Sequence, residues 1–293
     1  MVSASAADLD DEARVSRILA DRWVHYPQGE AALTRLAELL RGARRTRMPS
    51  LLVVGEPDVG KTTILKKFMR ARAPVFDPAT GRTTCEVVAM EAPPEADEAR
   101  LYSAILQAIG APGGGGRLID LERSVHLQLK RLGTRLLIID ETNNLVIGSG
   151  AAQRRTLAAL RRLSNQLDLS LACFGTMEAL HALTSDPQVE GRAQPFQLTR
   201  LRKDADYATI VQAVIAFYPL RQNSDVDQPL IDRVHELTAG SPGKTFRLLN
   251  AAAVHGIDTG EERITLRTLG LDDVARHVRT AAEMRRRVRA ATG

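Results

Sequence analysis

The sequence predicts an α/β fold in three layers, with a parallel sheet between helices, followed by a small helical lid. Short aliphatic segments at 51–54, 136–139 and 170–175 alternate with longer segments whose apolar residues recur at helical spacing. This alternation is typical of a parallel sheet covered on both faces. From about residue 204 the strand-like segments stop and helical patterns remain. We therefore predict a flexible N-terminal arm or a loosely held helix at 1–20, an α/β core at 21–203, and a helical lid with a basic C-terminal tail at 204–293.

The individual elements follow from local patterns. Leu33, Leu36 and Leu40 share one face of a helix that Pro49 separates from the first strand. Glycine-rich residues 110–116 predict a loop. The remaining core elements are predicted as helices at 62–72, 98–109, 117–132 and 151–166 and strands at 83–90, 135–140, 170–175 and 196–201. The lid helices are predicted at 204–218, 227–239, 243–255 and 267–288.

Composition is that of a soluble globular protein, with 44% hydrophobic and 26% charged residues among 293. No apolar run is long enough to cross a membrane, and the N-terminal residues lack the pattern of a signal peptide. Cys85 and Cys173 lie in strand-like segments and are predicted to be small buried hydrophobes in a reducing compartment. We therefore expect a cytoplasmic protein that does not contact membranes.

Charge favours an anionic partner. The net charge is +5 and the sequence pI is near 9.5. Arginines cluster at 41–47, 154–162 and 285–289. Each cluster alone is compatible with a solvated helix face, but three of them together favour nucleic acid.

The segment GEPDVGKT at 55–62 fits the pattern G-x-x-x-x-G-K-[ST] in full, and it follows an aliphatic strand and opens a helix. Such a loop turns backbone N–H groups toward phosphate oxygens at the positive end of a helix. Lys61 is predicted to bridge the β- and γ-phosphates of ATP, and the Thr62 hydroxyl to ligate Mg²⁺. The predicted ATP-binding residues are Gly55, Glu56, Pro57, Asp58, Val59, Gly60, Lys61, Thr62 and Thr63.

Two acids, Asp140 and Glu141, end the strand LLIID at 136–140. We predict that Asp140 holds Mg²⁺ together with Thr62, and that Glu141 orients or deprotonates the attacking water. The alternative is that both acids cap the following helix. No zinc-binding or nucleophile-elbow motif competes with this site.

Four further residues are candidates for the same chemistry. Thr176, after the strand at 170–175, is predicted to help position the water, although it could also cap a helix. Arg192 is a candidate arginine finger that acts on the nucleotide of a neighbouring copy; the alternative is a surface charge. Lys244 and Arg247, after the turn Gly240–Gly243, could contact phosphates or be solvated cations of a capped helix.

These segments resemble AAA+ ATPases and, more narrowly, the TniB and TnsC-type ATPases of bacterial transposons. The similar stretches are WVHYP at 23–27, RMPSLLVVGEPDVGKTTILKKF at 47–68, LLIIDETNNL at 136–145, FGTMEALHALTSDPQVEGRAQPFQL at 174–198 and GSPGKTFRLL at 240–249. Three positions depart from the family. Asn143 stands where His is frequent, Gly191 where Ser is common, and Gly243 where related lids carry Arg, which puts the second sensor in doubt.

The resemblance implies an ATP hydrolase that binds double-stranded DNA without sequence preference and assembles into homo-oligomeric rings or filaments. It also implies that the protein recruits or activates a DDE transposase, with a target-selector protein as a further possible partner, and that hydrolysis disassembles the oligomer. Lys130, Arg154 and Arg155 are candidate DNA contacts. Two alternatives stay open at this stage: an AAA+ loader acting on a protein client, and a nucleotide-dependent switch that does not bind DNA.

Overall fold

A computed structural model describes residues 6–43, 45, 47–112, 116–184 and 191–278. It divides into two compact units. The first, here called the core unit, spans Gln28–Thr199, and the second, the helical unit, comprises the described parts of Met1–Pro27 and Arg200–Gly293. The arginine-rich tail predicted at 285–289 lies outside the described residues. Within those residues, no helix has the length and apolarity that a membrane span requires.

The elements are numbered in chain order. The helices are α1 (Asp11–Leu19), α2 (Pro27–Arg41), α3 (Lys61–Arg70), α4 (Glu98–Ala108), α5 (Leu118–Leu132), α6 (Gly150–Leu167), α7 (Met177–Thr184), α8 (Ala205–Ala216), α9 (Gln228–Thr238), α10 (Pro242–Asp258), α11 (Leu266–Gly270) and α12 (Asp272–Ala275). The strands are β1 (Ser50–Gly55), β2 (Val75–Asp77), β3 (Arg82–Thr84), β4 (Val87–Glu91), β5 (Leu136–Asp140), β6 (Ser170–Gly175) and β7 (Ala193–Leu198). A 3₁₀ turn covers Thr142–Val146.

The core unit is built on a five-stranded sheet with the order β4-β5-β6-β1-β7, in which every neighbouring pair is parallel. All residues of β1 and β5 are buried, as the aliphatic runs at 51–54 and 136–139 predict. Helices α4, α5 and α6 pack their apolar residues, such as Tyr102, Val125 and Leu160, against this sheet. The parallel α/β fold predicted from the sequence is therefore confirmed.

One predicted strand, 83–90, is divided in the structure. Residues 82–84 form β3, which pairs with β2 in a small antiparallel hairpin, and 87–91 form β4 of the main sheet. The hairpin turn is fixed by Asp77, whose carboxylate accepts hydrogen bonds from the Ala79 amide (2.9 Å) and the Thr80 hydroxyl (2.7 Å). Gly81 completes the turn with φ +64°. The turn ties 82–84 to 75–77 before the chain enters the sheet, which explains the division.

The helical unit contains α8 to α12 and also α1. Residues 1–20 were predicted to form a flexible arm or a loosely held helix. The structure has a helix at 11–19, α1, with Asp10 accepting a hydrogen bond from the Ala13 amide (2.7 Å) as its N-cap. The Arg14 side chain is fully buried and donates to both carboxylate oxygens of Glu262, at 2.7 and 2.8 Å. An arginine held in this way fixes α1 within the unit, which the polar sequence of 1–20 did not indicate.

The helix predicted at 267–288 is interrupted at Leu271, whose extended backbone separates α11 from α12. Its part at 279–288 lies outside the described residues. The rest of the predicted lid helices are present, at 205–216, 228–238 and 242–258. Asp204 and Asp227 cap α8 and α9 with hydrogen bonds of 3.0 Å to the amides of Tyr207 and Leu230. The division between the units falls between Thr199 and Arg200, beside the boundary of 203 that the sequence suggested.

Candidate nucleotide-binding site

The carboxyl ends of the parallel strands lie at one edge of the sheet, which is where α/β proteins bind ligands. Gly55 ends β1, Asp140 ends β5 and Gly175 ends β6. Strand β6 pairs with both β1 and β5, so these three ends are adjacent. The fold therefore brings together the P-loop, the two acids and Thr176, which are far apart in the sequence.

The loop between β1 and α3 has backbone conformations that suit phosphate binding. Gly60, directly before α3, has φ 98°, and Asp58 has φ 66°, both in the left-handed region. Gly55 is enclosed by the fold: a Cβ atom there would lie 2.7 Å from the Leu198 carbonyl oxygen and 2.8 Å from Cγ2 of Val59. Val59 is buried and anchors the loop. These contacts fix the conformation of the loop at the N-terminus of α3, where phosphate groups bind favourably.

Lys61 is the first residue of α3, and its ammonium group turns back to the loop. Nζ donates to the carbonyl oxygens of Gly55 (2.8 Å) and Glu56 (2.9 Å). Burial lowers the pKa of Lys61, while the nearby carboxylates of Glu141, Asp140 and Asp58 act in the opposite direction. A partly desolvated cation at the mouth of the loop is suited to bind phosphate oxygens.

The side chains of Thr62 and Asp140 meet at the same place. The Thr62 hydroxyl donates to Oδ2 of Asp140 at 3.1 Å, across 78 positions of sequence. Burial raises the pKa of the Asp140 carboxyl, partly offset by hydrogen bonds from the Glu141 amide and from Thr62. A hydroxyl and a carboxylate are hard oxygen ligands of the kind that Mg²⁺ prefers. The donor set therefore fits the predicted Mg²⁺: Thr62 and Asp140 would hold the ion, and the ion would supply positive charge beside the phosphates.

Glu141 follows Asp140 in a left-handed conformation with φ 51° and ψ 42°. This conformation is uncommon for a residue with a side chain, and the next residue holds it in place. The buried Thr142 hydroxyl donates to the carbonyl oxygen of Phe174 in β6 at 2.5 Å. The half-buried Glu141 is thereby fixed at the strand edge, beside Lys61 and Asp140. The predicted alternative, in which the acids cap a helix, is not realised by Glu141, which makes no side-chain cap to the 3₁₀ turn.

Thr176 lies at the same edge, directly after β6 and before α7. Its hydroxyl is 3.4 Å from the Ala179 amide and contacts the Glu178 carboxylate, which lowers the pKa of Glu178. The capping role considered as an alternative is therefore present. A position beside the P-loop is also compatible with the predicted role toward the attacking water, and that role stays a prediction.

Arg192 lies at the opposite end of the sheet. Its carbonyl oxygen accepts from the amide of Ser50, the first residue of β1, at 3.0 Å. Five residues of strand, about 17 Å, separate Ser50 from Gly55. Arg192 is thus not brought to the nucleotide site of its own chain. The Arg192 guanidinium donates to Oδ1 of Asn165 at 2.7 Å. The sequence did not predict this contact, since Asn165 is one of several polar residues on an amphipathic helix.

The remaining candidates lie on the helices α5, α6 and α10. Lys130 is exposed in the last turn of α5, and Arg154 and Arg155 are exposed near the start of α6. Arg155 forms an ion pair with Glu98 (3.6 Å), which offsets part of its charge. Lys244 and Arg247 lie in the first two turns of α10 in the helical unit. Contact of these five residues with DNA or phosphate stays a prediction.

Comparison with known structures shows a similar fold in three solved proteins. The chain is similar to the Aeropyrum pernix ORC1 protein in complex with DNA, at 22% identity and a TM-score of 0.64, over 87% of this chain and 67% of that chain. It is also similar to the Aeropyrum pernix ORC2 protein in ADPNP–ADP complexes, at 18% identity and a TM-score of 0.60, over 89% and 71%. Domain III of the Thermotoga maritima replication initiation protein DnaA matches at 13% identity and a TM-score of 0.57, over 88% and 95%.

A search of curated protein sequences gives no significant match. The family model described as bacterial TniB protein, however, matches residues 14–203, which include every residue of the nucleotide-binding edge. With the sheet order and the P-loop geometry described above, the match leads to one conclusion: the chain belongs to the TniB family and has the AAA+ P-loop ATPase fold.

Proposed function

We propose that this protein is an ATP hydrolase that binds double-stranded DNA without sequence specificity, forms homo-oligomers on it, and recruits or activates a DDE transposase. Hydrolysis would then disassemble the oligomer. The observation that carries the ATPase part is the convergence of Lys61, Thr62, Asp140 and Glu141 at one edge of the sheet. Membership in the TniB family supports the transposition part.

The chemistry assigned to each residue follows from its place. Lys61 and the loop amides would bind and orient the phosphates, and Thr62 and Asp140 would hold Mg²⁺. Glu141 is fixed one residue beyond the metal ligand, where its carboxylate can accept a proton from water. The hydrogen bond between Thr62 and Asp140 places these two groups 3.1 Å apart, within reach of one metal ion. Less rearrangement of these two side chains is then required when Mg²⁺ and nucleotide bind.

DNA binding is supported by charge and by similarity. The net charge of +5 favours contacts with phosphate backbones, whose affinity falls steeply with salt. A similar protein, Aeropyrum pernix ORC1, is known in complex with DNA. We infer from these two facts that DNA is a partner, and from membership in the TniB family that a transposase is another.

The test is assembly on a random-sequence duplex without nucleotide, with ADP, with ATP, and with a slowly hydrolysed ATP analogue. Electron microscopy would detect oligomers, and phosphate release would be followed in parallel. We expect oligomers only with ATP or the analogue, and persistent oligomers for Glu141→Gln with ATP. The matched control is Glu236→Gln, an exposed acid in the helical unit that pairs with Arg233. Binding of ATP with no binding of DNA at low salt would refute the DNA role.

A further inference from the structure

A groove of about 640 Å³ lies in the core unit, away from the nucleotide site. It is bounded by the end of α2, the residues that follow α3, the hairpin of β2 and β3, and the end of α5. Arg135, which lines it, directly precedes β5. Five residues of strand, about 17 Å, separate Arg135 from Asp140 at the nucleotide edge. A ligand in this groove would therefore leave the P-loop accessible.

The groove is positively charged. Its charged lining residues are Arg41, Arg72, Arg135 and Glu86. Among the residues that the structure describes, none forms an ion pair with any of these four side chains. Arg135 donates to the carbonyl oxygen of Gly42 at 2.8 Å, and the Arg72 guanidinium lies 5.1 Å from the centre of the Phe68 ring. These contacts hold two of the arginines in place without neutralising them, so the groove is suited to an anionic ligand.

The walls between the arginines are apolar. The aliphatic side chains of the lining belong to Ala37, Leu40, Ala71, Ala73, Val75 and Leu132. Contacts with the phosphates of duplex DNA require exposed cations but no such apolar walls. Single-stranded nucleic acid stacks its bases on aromatic side chains, and none of the described lining residues is aromatic. Arginines between aliphatic surfaces instead suit a peptide that carries both acidic and apolar residues.

The hairpin that forms one wall of the groove has an unpaired edge. Strand β2 pairs with β3 in a two-stranded sheet, and no other strand of the described residues pairs with it. Every residue of both strands is exposed, and Val75 and Phe76 are 62% and 61% exposed. A hairpin of two strands buries too little apolar surface to be stable alone in water. The free backbone N–H and C=O groups of β2 can therefore bind a third strand.

The alternation of side chains assigns the two faces of this hairpin. Val75 is paired with Thr84, and both line the groove. Phe76 and Thr83, the next pair, lie on the other face. A strand added along β2 would present its side chains alternately to these two faces. Acidic side chains would then meet the arginines of the groove, and apolar side chains would meet Phe76.

We propose that the groove and the free edge of β2 form a docking site for an extended segment of a partner protein, in which acidic and apolar residues alternate. The segment adds to β2 as a third strand, and its carboxylates bind Arg41, Arg72 and Arg135. Main-chain hydrogen bonds supply affinity, and the arginines select acidic sequences. This surface binds peptide whether or not the chain hydrolyses ATP or binds DNA, so it extends beyond the proposed function.

The experiment uses the full-length chain and a fluorescein-labelled, capped peptide of about eight residues, the length of an ordinary strand, in which valine and glutamate alternate. Fluorescence anisotropy should show saturable binding of one peptide per chain. The corresponding peptide of valine and lysine should not bind. A valine–glutamate peptide with alternate backbone amides N-methylated keeps its side chains and charge but cannot pair as a strand, and it should bind at least tenfold more weakly. No binding of the first peptide, or equal binding of the methylated one, would overturn the proposal.

Charge reversal locates the site on the protein. Arg41→Glu and Arg72→Glu should each weaken peptide binding about tenfold, since each replaces an attraction with a repulsion. Arg123→Glu on α5 is the matched control, because Arg123 is exposed, does not line the groove and changes the net charge equally. It should bind peptide as wild type does. Fluorescent ATP titration should give the same affinity for all three variants, which verifies folding. Equal weakening by Arg123→Glu would show attraction to net charge alone and would refute the site.

Duplex DNA is the alternative occupant. An unlabelled random-sequence duplex should not displace the peptide, and Arg41→Glu and Arg72→Glu should bind duplex as wild type does. Displacement of the peptide by duplex, together with weaker DNA binding by these two variants, would make the groove a DNA contact. The docking site for peptide would then be refuted while the proposed function would stand. Normal peptide binding by a wild type that neither hydrolysed ATP nor bound DNA would refute the proposed function and leave the docking site.

Discussion

The buried ion pair between Arg14 and Glu262 gives a prediction about the stability of the helical unit. In Glu262→Gln, the side chain keeps its shape and one carbonyl acceptor but loses its charge. Arg14 would then remain fully buried with its charge opposed only in part, by Asp11 at 2.6 Å and the carbonyl of Pro219 at 3.1 Å. Arg14 Nε already has no hydrogen-bond partner among the described residues, so little compensation is available.

The magnitude follows from burial. The side chains of Arg14 and Glu262 are 0% and 9% exposed. Removing one partner of a buried pair costs about 3–5 kcal/mol, and since glutamine retains one acceptor we expect the lower end, about 3 kcal/mol. Asp11→Asn is the matched control. It changes the other carboxylate that contacts Arg14, but that side chain is 65% exposed, so water screens the interaction and a much smaller loss is expected.

The pH dependence has a defined sign. Hydrogen bonds from Arg14 lower the pKa of Glu262 below its ordinary value of 4.5. The stabilisation is therefore fully present above pH 4.5 and is lost as the pH falls through the lowered pKa of the folded state. The difference in stability between wild type and Glu262→Gln should accordingly shrink in strong acid.

The chain contains one tryptophan, Trp23, and it lies in the helical unit 5.7 Å from the ring of Tyr26. Denaturant unfolding followed by tryptophan fluorescence therefore reports on this unit. A lower midpoint for Glu262→Gln at neutral pH, with a small shift for Asp11→Asn, is the expected result. Equal midpoints for wild type and Glu262→Gln at neutral pH would refute the assignment of α1 to the unit through this pair.

Two further predictions concern the core unit. Gly55→Ala should weaken ATP binding and destabilise the unit by about 1–3 kcal/mol, because the new Cβ would lie 2.7 Å from the Leu198 carbonyl oxygen. Fluorescent ATP titration and thermal unfolding measure the two effects. The control is Gly116→Ala, where a Cβ meets nothing within 4 Å. Cys173 should resist alkylation in the native protein, since burial raises the pKa of its thiol to about 12, and should react after denaturation. Mass spectrometry of peptides labelled in mildly alkaline buffer would contradict this if Cys173 were modified at the rate of a free thiol.

Much of the core unit could be predicted from the sequence for a physical reason. Strands of a parallel sheet are buried on both faces, so LLII at 136–139 and LACFG at 171–175 are apolar without interruption. This pattern distinguishes them from the amphipathic helices between them. The P-loop and the Asp140–Glu141 pair could also be predicted because each is a pattern of adjacent residues. In the P-loop, the glycine conformations and the helix N-terminus that bind phosphate come from one short segment. The family also follows from such local segments, and the match over 14–203 confirms it.

Other features depended on contacts between distant segments. Helix α1 is held by Glu262, 248 positions away, and nothing in the polar sequence of 1–20 reveals that partner. The predicted strand 83–90 is divided in two because the turn at Asp77–Gly81 allows 82–84 to pair with 75–77 in a hairpin.

Arg47 and Arg192 are 145 positions apart in the sequence, and only the pairing of β1 with β7 brings them near each other, while the packing of α6 brings Arg161 to the same end of the sheet. The sequence thus determined the strands, the helices and the residues that bind phosphate, because their signals are local. The tertiary structure alone decided which distant charges are buried and which of them meet, because burial and proximity are properties of the folded chain.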